Sequence, residues 1–137
     1  MDWYTKVITF LITMLITSAA LFPYTQKDVD LLAEVMYWEN WHTDSEHITA
    51  YYTGAVVMNR VKSKNWPDTI EKVLYQRGQY STTKYFFTKE VPEECYQIAR
   101  DILIFGTPDV PENVIFQSTF RQGSGKWKVI NEHLELV

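Results

Sequence analysis

The chain has 137 residues, of which 46% are hydrophobic, 15% aromatic and 22% charged. That length suits one domain, and the apolar share excludes a chain too polar to bury a core. The formal net charge of −4 leaves no surplus of Lys and Arg to hold a phosphate backbone. Nucleic acid is therefore not an expected partner, whereas an uncharged polymer such as a glycan remains open.

The first feature along the chain is a stretch from Val7 to Phe22 that carries no charge. A membrane-spanning helix needs about 20 apolar residues and the core of a signal peptide about 7–15, so this stretch lies between the two. Ser18-Ala19-Ala20 offers small residues for a signal peptidase, and Pro23 ends any helix. Residues 1–23 are read as a signal peptide or, failing that, an uncleaved membrane anchor; a buried core helix is the third reading. Either of the first two makes the protein secreted or held at the extracytoplasmic cell wall, with membrane contact only through residues 7–22. Residues 24–137 show no repeat, low-complexity run or linker, and are read as one domain, expected to be a monomer.

Asp28 is placed to cap a first helix that ends near Trp38–Asn40, with Val29, Leu32, Ala33 and Met36 on its buried face. Its last carboxylate, Glu39, falls among Tyr37, Trp38 and Trp41. Crowding by rings removes solvent, disfavours the charged form and raises a carboxyl pKa. A carboxylic acid that stays protonated near neutral pH can give its proton to a leaving oxygen, which is how glycosidic bonds are broken. The competing reading of Glu39 is a solvated charge at a helix end.

A polar loop, Asn40 to Glu46, leads to a second helix, about Ile48 to Ser63, capped by Asp44 or Ser45. Ile48, Tyr51, Tyr52, Ala55, Met58 and Val61 give it a helical apolar period. Asn65 to Thr69 forms a turn that caps a short helix, Ile70 to Tyr75, and a polar loop around Gly78 follows from Gln76 to Thr83. A further helix, Glu93 to Phe105, is stopped by Gly106 and Pro108. Its stripe of Cys95, Ile98, Ala99, Ile102 and Phe105 makes the lone Cys95 a small core hydrophobe rather than a nucleophile. With a single cysteine there is no intramolecular disulfide. After Pro111 the chain turns β-prone: Val114-Ile115-Phe116, then a Gly123-Ser124-Gly125 turn, Trp127 to Ile130, and a last strand from His133 to Val137. The fold class is α+β, about four helices followed by a small antiparallel β element.

Three segments line up in order: Leu31-Leu32-Ala33-x-x-x-Tyr37-x-Glu39, Gly54-Ala55-Val56-Val57-Met58-Asn59-Arg60-Val61, and Val73-Leu74-Tyr75-Gln76-x-Gly78-Gln79-Tyr80-Ser81. They resemble the Y-x-E, V-V-x-N-R-V and Y-Q-x-x-Q-F-S motifs of the SleB/CwlJ-type cell wall hydrolase family. Phe116-Gln117 and Gly123-x-Gly125-x-Trp127 resemble its later strand segment, and His133 falls where a histidine is often seen. The resemblance implies a compact lysozyme-like domain that cleaves the glycan strands of peptidoglycan. It maps the family's acid onto Glu39, with Tyr37, Gln76, Gln79, Tyr80, Ser81, Phe116, Gln117 and Trp127 as candidate substrate contacts. Many members follow the Glu with Ala-Arg-Gly-Glu; here Asn40-Trp41-His42-Thr43 follows, so the rim of the cleft differs.

The chemistry implied is lytic transglycosylation between N-acetylmuramic acid and N-acetylglucosamine, closing a 1,6-anhydro ring with Glu39 as acid and base. A muramidase-type hydrolase needs a second carboxylate, about 5–5.5 Å away for retention or about 6.5–9.5 Å for inversion. Asp44, Glu46, Asp101 and Glu132 are the candidates, the first two because the loop after Glu39 is expected to border the cleft. A non-catalytic cell-wall-binding module is the remaining alternative. Asn59 and Arg60 are read chiefly as side chains that pin neighbouring loops. His42, His47 and His133 show no paired metal-ligand spacing, and no metal or cofactor is expected.

Overall fold

The structure, a computed structural model, describes residues 2–9, 23–118, 128–131 and 134–136. Residues 10–22 of the uncharged N-terminal stretch, the expected turn at Gly123-Ser124-Gly125, Trp127, Glu132 and His133 lie outside the described residues. Among the described residues no helix is long and apolar enough to cross a membrane.

Helix α1 (Gln26–Asn40) opens with a capping box in which Thr25 Oγ1 accepts from Asp28 N and an Asp28 carboxylate oxygen accepts from Thr25 N. Asp28 therefore sits one turn inside the helix, and Thr25 holds the cap position. Val29, Leu31, Leu32, Ala33, Glu34, Val35 and Met36 are all buried, so α1 is wrapped on every side and forms the axis of the domain. Helix α2 (Ile48–Lys62) crosses it with a continuous buried run from Tyr52 to Arg60. Gly54 makes the crossing possible: a Cβ there would lie 2.6 Å from Ile102 Cδ1 and 3.1 Å from Met36 Sδ. Asp44 caps α2 from the loop, accepting from Ile48 N at 2.8 Å and Thr49 N at 3.0 Å.

Helix α3 (Ile70–Leu74) is capped by Thr69 Oγ1, which accepts from Lys72 N. A 3₁₀ turn (Ser81–Tyr85) follows. Helix α4 (Glu93–Phe105) buries Cys95, Ala99, Ile102 and Leu103 against α1 and α2, and ends at Gly106 with φ 72°. Cys95 is a core residue whose thiol donates to the Ala33 carbonyl, and burial pushes its pKa up to about 12.

The strands are β1 (Gln117–Ser118), β2 (Lys128–Asn131) and β3 (Leu134–Leu136), paired antiparallel in the order β1-β3-β2. The sheet packs on α2 through a satellite core of Tyr52, Ala55, Val56, Val110, Val114 and Leu136. Pairing starts later than the β-prone run Val114–Phe116 suggests. The carbonyls of Val114 and Ile115 are taken by the side chains of Asn59 (2.9 Å) and Arg60 (2.7 Å), so they bond the end of α2 instead of a strand. The result is an α+β, lysozyme-like domain of four helices and a small C-terminal sheet.

Candidate active site

Glu39 lies in the last turn of α1, half-buried. The 3₁₀ turn comes alongside and sets Thr82 against it, with Thr82 Oγ1 donating to Glu39 Oε1 at 2.5 Å. Burial raises the Glu39 pKa above the usual carboxylate value, and the Thr82 hydrogen bond opposes that rise without cancelling it. The carboxyl thus holds its proton to higher pH than a solvated glutamate.

Glu39 opens onto a cavity of about 320 Å³ walled by Glu39, Arg60, Gly78, Gln79, Tyr80, Phe116 and Gln117. The lower size of a small-ligand site is about 300 Å³, so this space admits a sugar-sized group. Four parts of the chain build the wall. Helix α1 supplies Glu39 and the end of α2 supplies Arg60. The loop turning at Gly78 (φ 79°) brings Gln79 and Tyr80, while Phe116 and Gln117 lead into β1.

Arg60 is the strut between these parts. It is 4% exposed, donates from Nε to the Ile115 carbonyl at 2.7 Å, and donates from a terminal nitrogen to Gln79 Oε1 at 3.2 Å. Its guanidinium carbon lies 4.2 Å from the ring centre of Trp66, 5.3 Å from Tyr80 and 5.6 Å from Phe116. Burial lowers the Arg60 pKa from its ordinary value. Asn59, one residue earlier, ties Pro111 and Val114 through their carbonyls at 2.9 Å each. The pinning role expected for this pair is what the geometry shows, and Arg60 in addition faces the cavity.

Tyr80 is pushed up to about 12 by burial, with the Arg60 charge pulling the other way and the Glu39 charge adding to the rise. Its phenol is neutral across the working range of any wall enzyme near neutral pH.

Of the residues expected to contact substrate, Gln79, Tyr80, Phe116 and Gln117 meet Glu39 in one wall. Tyr37, Gln76 and Ser81 are not among the lining residues: Tyr37 sits edge-on to Trp38 and to His42, and Gln76 and Ser81 are exposed on the loop. Trp127 lies outside the described residues.

The loop after Glu39 does not border the cavity. Asn40 donates to Thr53 Oγ1 at 2.7 Å, and His47 stacks on Trp41 with ring centres 3.5 Å apart. His47 Nδ1 also lies 2.8 Å from the Trp41 carbonyl oxygen. These bonds fold the segment back over α2. Asp44 is consumed by its cap: burial pushes its carboxyl up, but the Thr49 and Ile48 hydrogen bonds and the nearby His47 outweigh this and hold it below the ordinary value. Glu46 and Asp101 line a separate groove with His47 and Tyr51. Among the described residues, Glu39 is the one carboxylate in the wall of its cavity.

Sequence reasoning missed Thr82, which stands in Ser81-Thr82-Thr83, where three neighbouring hydroxyls are indistinguishable without the turn geometry. It also missed Glu34, a carboxylate 1% exposed whose Oε2 accepts from Trp38 Nε1 at 3.0 Å. A carboxylate inside a run of apolar residues was the available signal.

One protonatable carboxyl in a polar cavity between helices and a small sheet defines a lysozyme-like domain. A model of the cell wall hydrolase family matches residues 33–133, the greater part of the chain, and the chain belongs to that family. It is accordingly an enzyme that acts on the cell wall, with peptidoglycan as its substrate. No curated protein and no solved structure matches the chain.

Proposed function

We propose that the enzyme cleaves the bond from N-acetylmuramic acid to N-acetylglucosamine by lytic transglycosylation, with Glu39 as the only acid and base. The observation that carries this reading is that Glu39 stands in its cavity with a raised pKa and no second carboxylate beside it among the described residues.

In the first step the Glu39 carboxyl gives its proton to the glycosidic oxygen as the bond to the muramic C1 breaks. The carboxylate left behind then takes the proton of the muramic C6 hydroxyl while that oxygen bonds to C1. The N-acetylglucosamine end leaves with a free hydroxyl, the muramic residue ends as a 1,6-anhydro sugar, and Glu39 is protonated again. No water enters, so no second carboxylate is needed to activate one. Thr82 stabilises the intermediate carboxylate by donating to it, which eases the loss of the proton in the first step.

We place Gln79, Tyr80, Phe116 and Gln117 against the substrate, and residues 7–22 as the export signal that brings the domain to the wall. The test is the chemistry of the new glycan ends. Mass spectrometry of digested, purified sacculi should find 1,6-anhydro-muramic termini. Reducing muramic termini in their place would instead assign hydrolysis, and with it a base beyond Glu39.

A further inference from the structure

Residues 75–89 carry a charge opposite to that of the chain as a whole. They include Arg77, Lys84 and Lys89 and no acidic residue, in a protein whose formal net charge is −4. All three cations are exposed, and among the described residues none of them is in an ion pair. The same segment exposes three large rings, Phe87 at 61%, Tyr75 at 51% and Tyr85 at 45%.

These rings adjoin. Tyr75 and Phe87 both lie edge-on to the buried Phe86, with ring centres 6.2 and 6.3 Å away. Tyr85 leans on Trp38 at 5.2 Å. The Lys84 ammonium stands 5.1 Å from the Tyr85 ring and the Lys89 ammonium 5.6 Å from the Trp38 ring, so cations border the aromatic patch. Single exposed hydrophobics need no explanation, but a contiguous patch does.

Phe87 is also strained. Its φ of 62° lies in the left-handed region, where an aromatic residue is an outlier. Buried Glu34 holds it there, accepting from the Phe87 backbone N–H as well as from Trp38 Nε1 at 3.0 Å. Such strain persists only where the surroundings impose it, and here it leaves an apolar ring in water.

A lipid surface with anionic headgroups meets both halves of this chemistry. Phosphates suit the ammoniums, and aromatic rings gather at the boundary between headgroups and acyl chains. A phosphate polymer satisfies the lysines and leaves Phe87 in water; a neutral glycan satisfies rings and leaves the cations unmatched. We propose that this face docks on an anionic membrane surface, with Lys84 and Lys89 on the lipid phosphates and Phe87 and Tyr85 dipping into the headgroup layer. It is a membrane contact additional to the one expected from residues 7–22. The 3₁₀ turn that carries Lys84 and Tyr85 also carries Thr82, so the contact adjoins the Glu39 side of the domain. The proposal goes beyond the glycan chemistry and does not depend on it.

Co-sedimentation of the full chain at low salt tests it, with phosphatidylcholine vesicles against vesicles that also contain phosphatidylglycerol. The stretch from Val7 to Phe22 bears no charge and meets both vesicles alike, so the difference between them reports the cationic face. Binding to the anionic vesicles should be about tenfold or more tighter, and each of Lys84→Gln and Lys89→Gln should weaken it about fivefold. Phe87→Gly takes the same φ without strain, which keeps the fold, and should weaken binding to the anionic vesicles about tenfold. The proposal is overturned if the two vesicles bind equally, or if the difference survives the double lysine substitution. It is overturned equally if Phe87→Gly binds as tightly as wild type. Inorganic polyphosphate bound as tightly as the anionic vesicles, with no effect of Phe87→Gly, would assign the face to a phosphate polymer instead.

Discussion

Thr82 donates its hydroxyl to Glu39 across 43 positions of sequence, at 2.5 Å. Burial raises the pKa of Glu39 and this bond restrains the rise. Glu39 must be protonated to act as the acid, so kcat/KM falls as pH climbs through its pKa. Thr82→Val removes the restraint, the carboxylate becomes less favoured, and the alkaline limb of the pH–kcat/KM profile moves to higher pH. A limb that stays in place would show that Thr82 does not act on the acid.

The same raised pKa links stability to pH. Folded Glu39 keeps a proton that the unfolded chain has already lost, so the folded state binds more protons between the ordinary carboxyl value of 4.5 and the higher folded one. Stability supplied by this group is present below that window and lost as pH rises through it. Glu39→Gln has no such dependence. Its melting temperature should match wild type in acid and exceed it increasingly toward neutral pH; a difference that does not vary with pH would contradict a raised Glu39.

Glu34 is predicted to hold the loop that carries Thr82. It accepts from Trp38 Nε1 and from the backbone N–H of Phe87, a residue in the left-handed region at φ 62°. The Trp38 ring in turn lies 5.2 Å from that of Tyr85, at the end of the 3₁₀ turn. Glu34→Ala leaves two donors unmatched and should cost about 1–3 kcal/mol in urea unfolding. Glu34→Gln keeps an acceptor and should cost less. Equal, negligible losses would show the carboxylate to be a bystander.

Cys95 is fully buried with its thiol raised to about 12, so little nucleophilic thiolate exists in the folded protein. A chromogenic disulfide reagent should label it only at the rate of unfolding, accelerating in denaturant. Prompt labelling of the native enzyme would contradict the core position.

The helices were legible because their caps and periods are local. Thr69 and Gly106 do what their residue types suggest, and Cys95 sits on the stripe that its spacing defines. Glu39 stood out in the sequence because the motifs around Tyr37-x-Glu39 stand in order along the chain. The cavity wall was legible only in part. Which hydroxyl of Ser81-Thr82-Thr83 meets Glu39 depends on a 3₁₀ turn, and whether Arg60 serves the fold or the cleft depends on a guanidinium reaching both Ile115 and Gln79. The loop after Glu39 was misplaced for a similar reason. Its return over α2 comes from Asn40, Asp44 and the Trp41–His47 stack, contacts that no single spacing announces. β1 started late because Asn59 and Arg60 claim the carbonyls before it.

The central claim is that one carboxyl performs the reaction, and the rate of wall clearing by Glu39→Gln tests it most directly. Glutamine keeps the size of the side chain and can still accept from Thr82, but has no acidic proton to give. With folding verified by circular dichroism, clearing of purified sacculi should fall by about 10³-fold, within the range of a lost general acid. Clearing within a few-fold of wild type would place the chemistry on another residue.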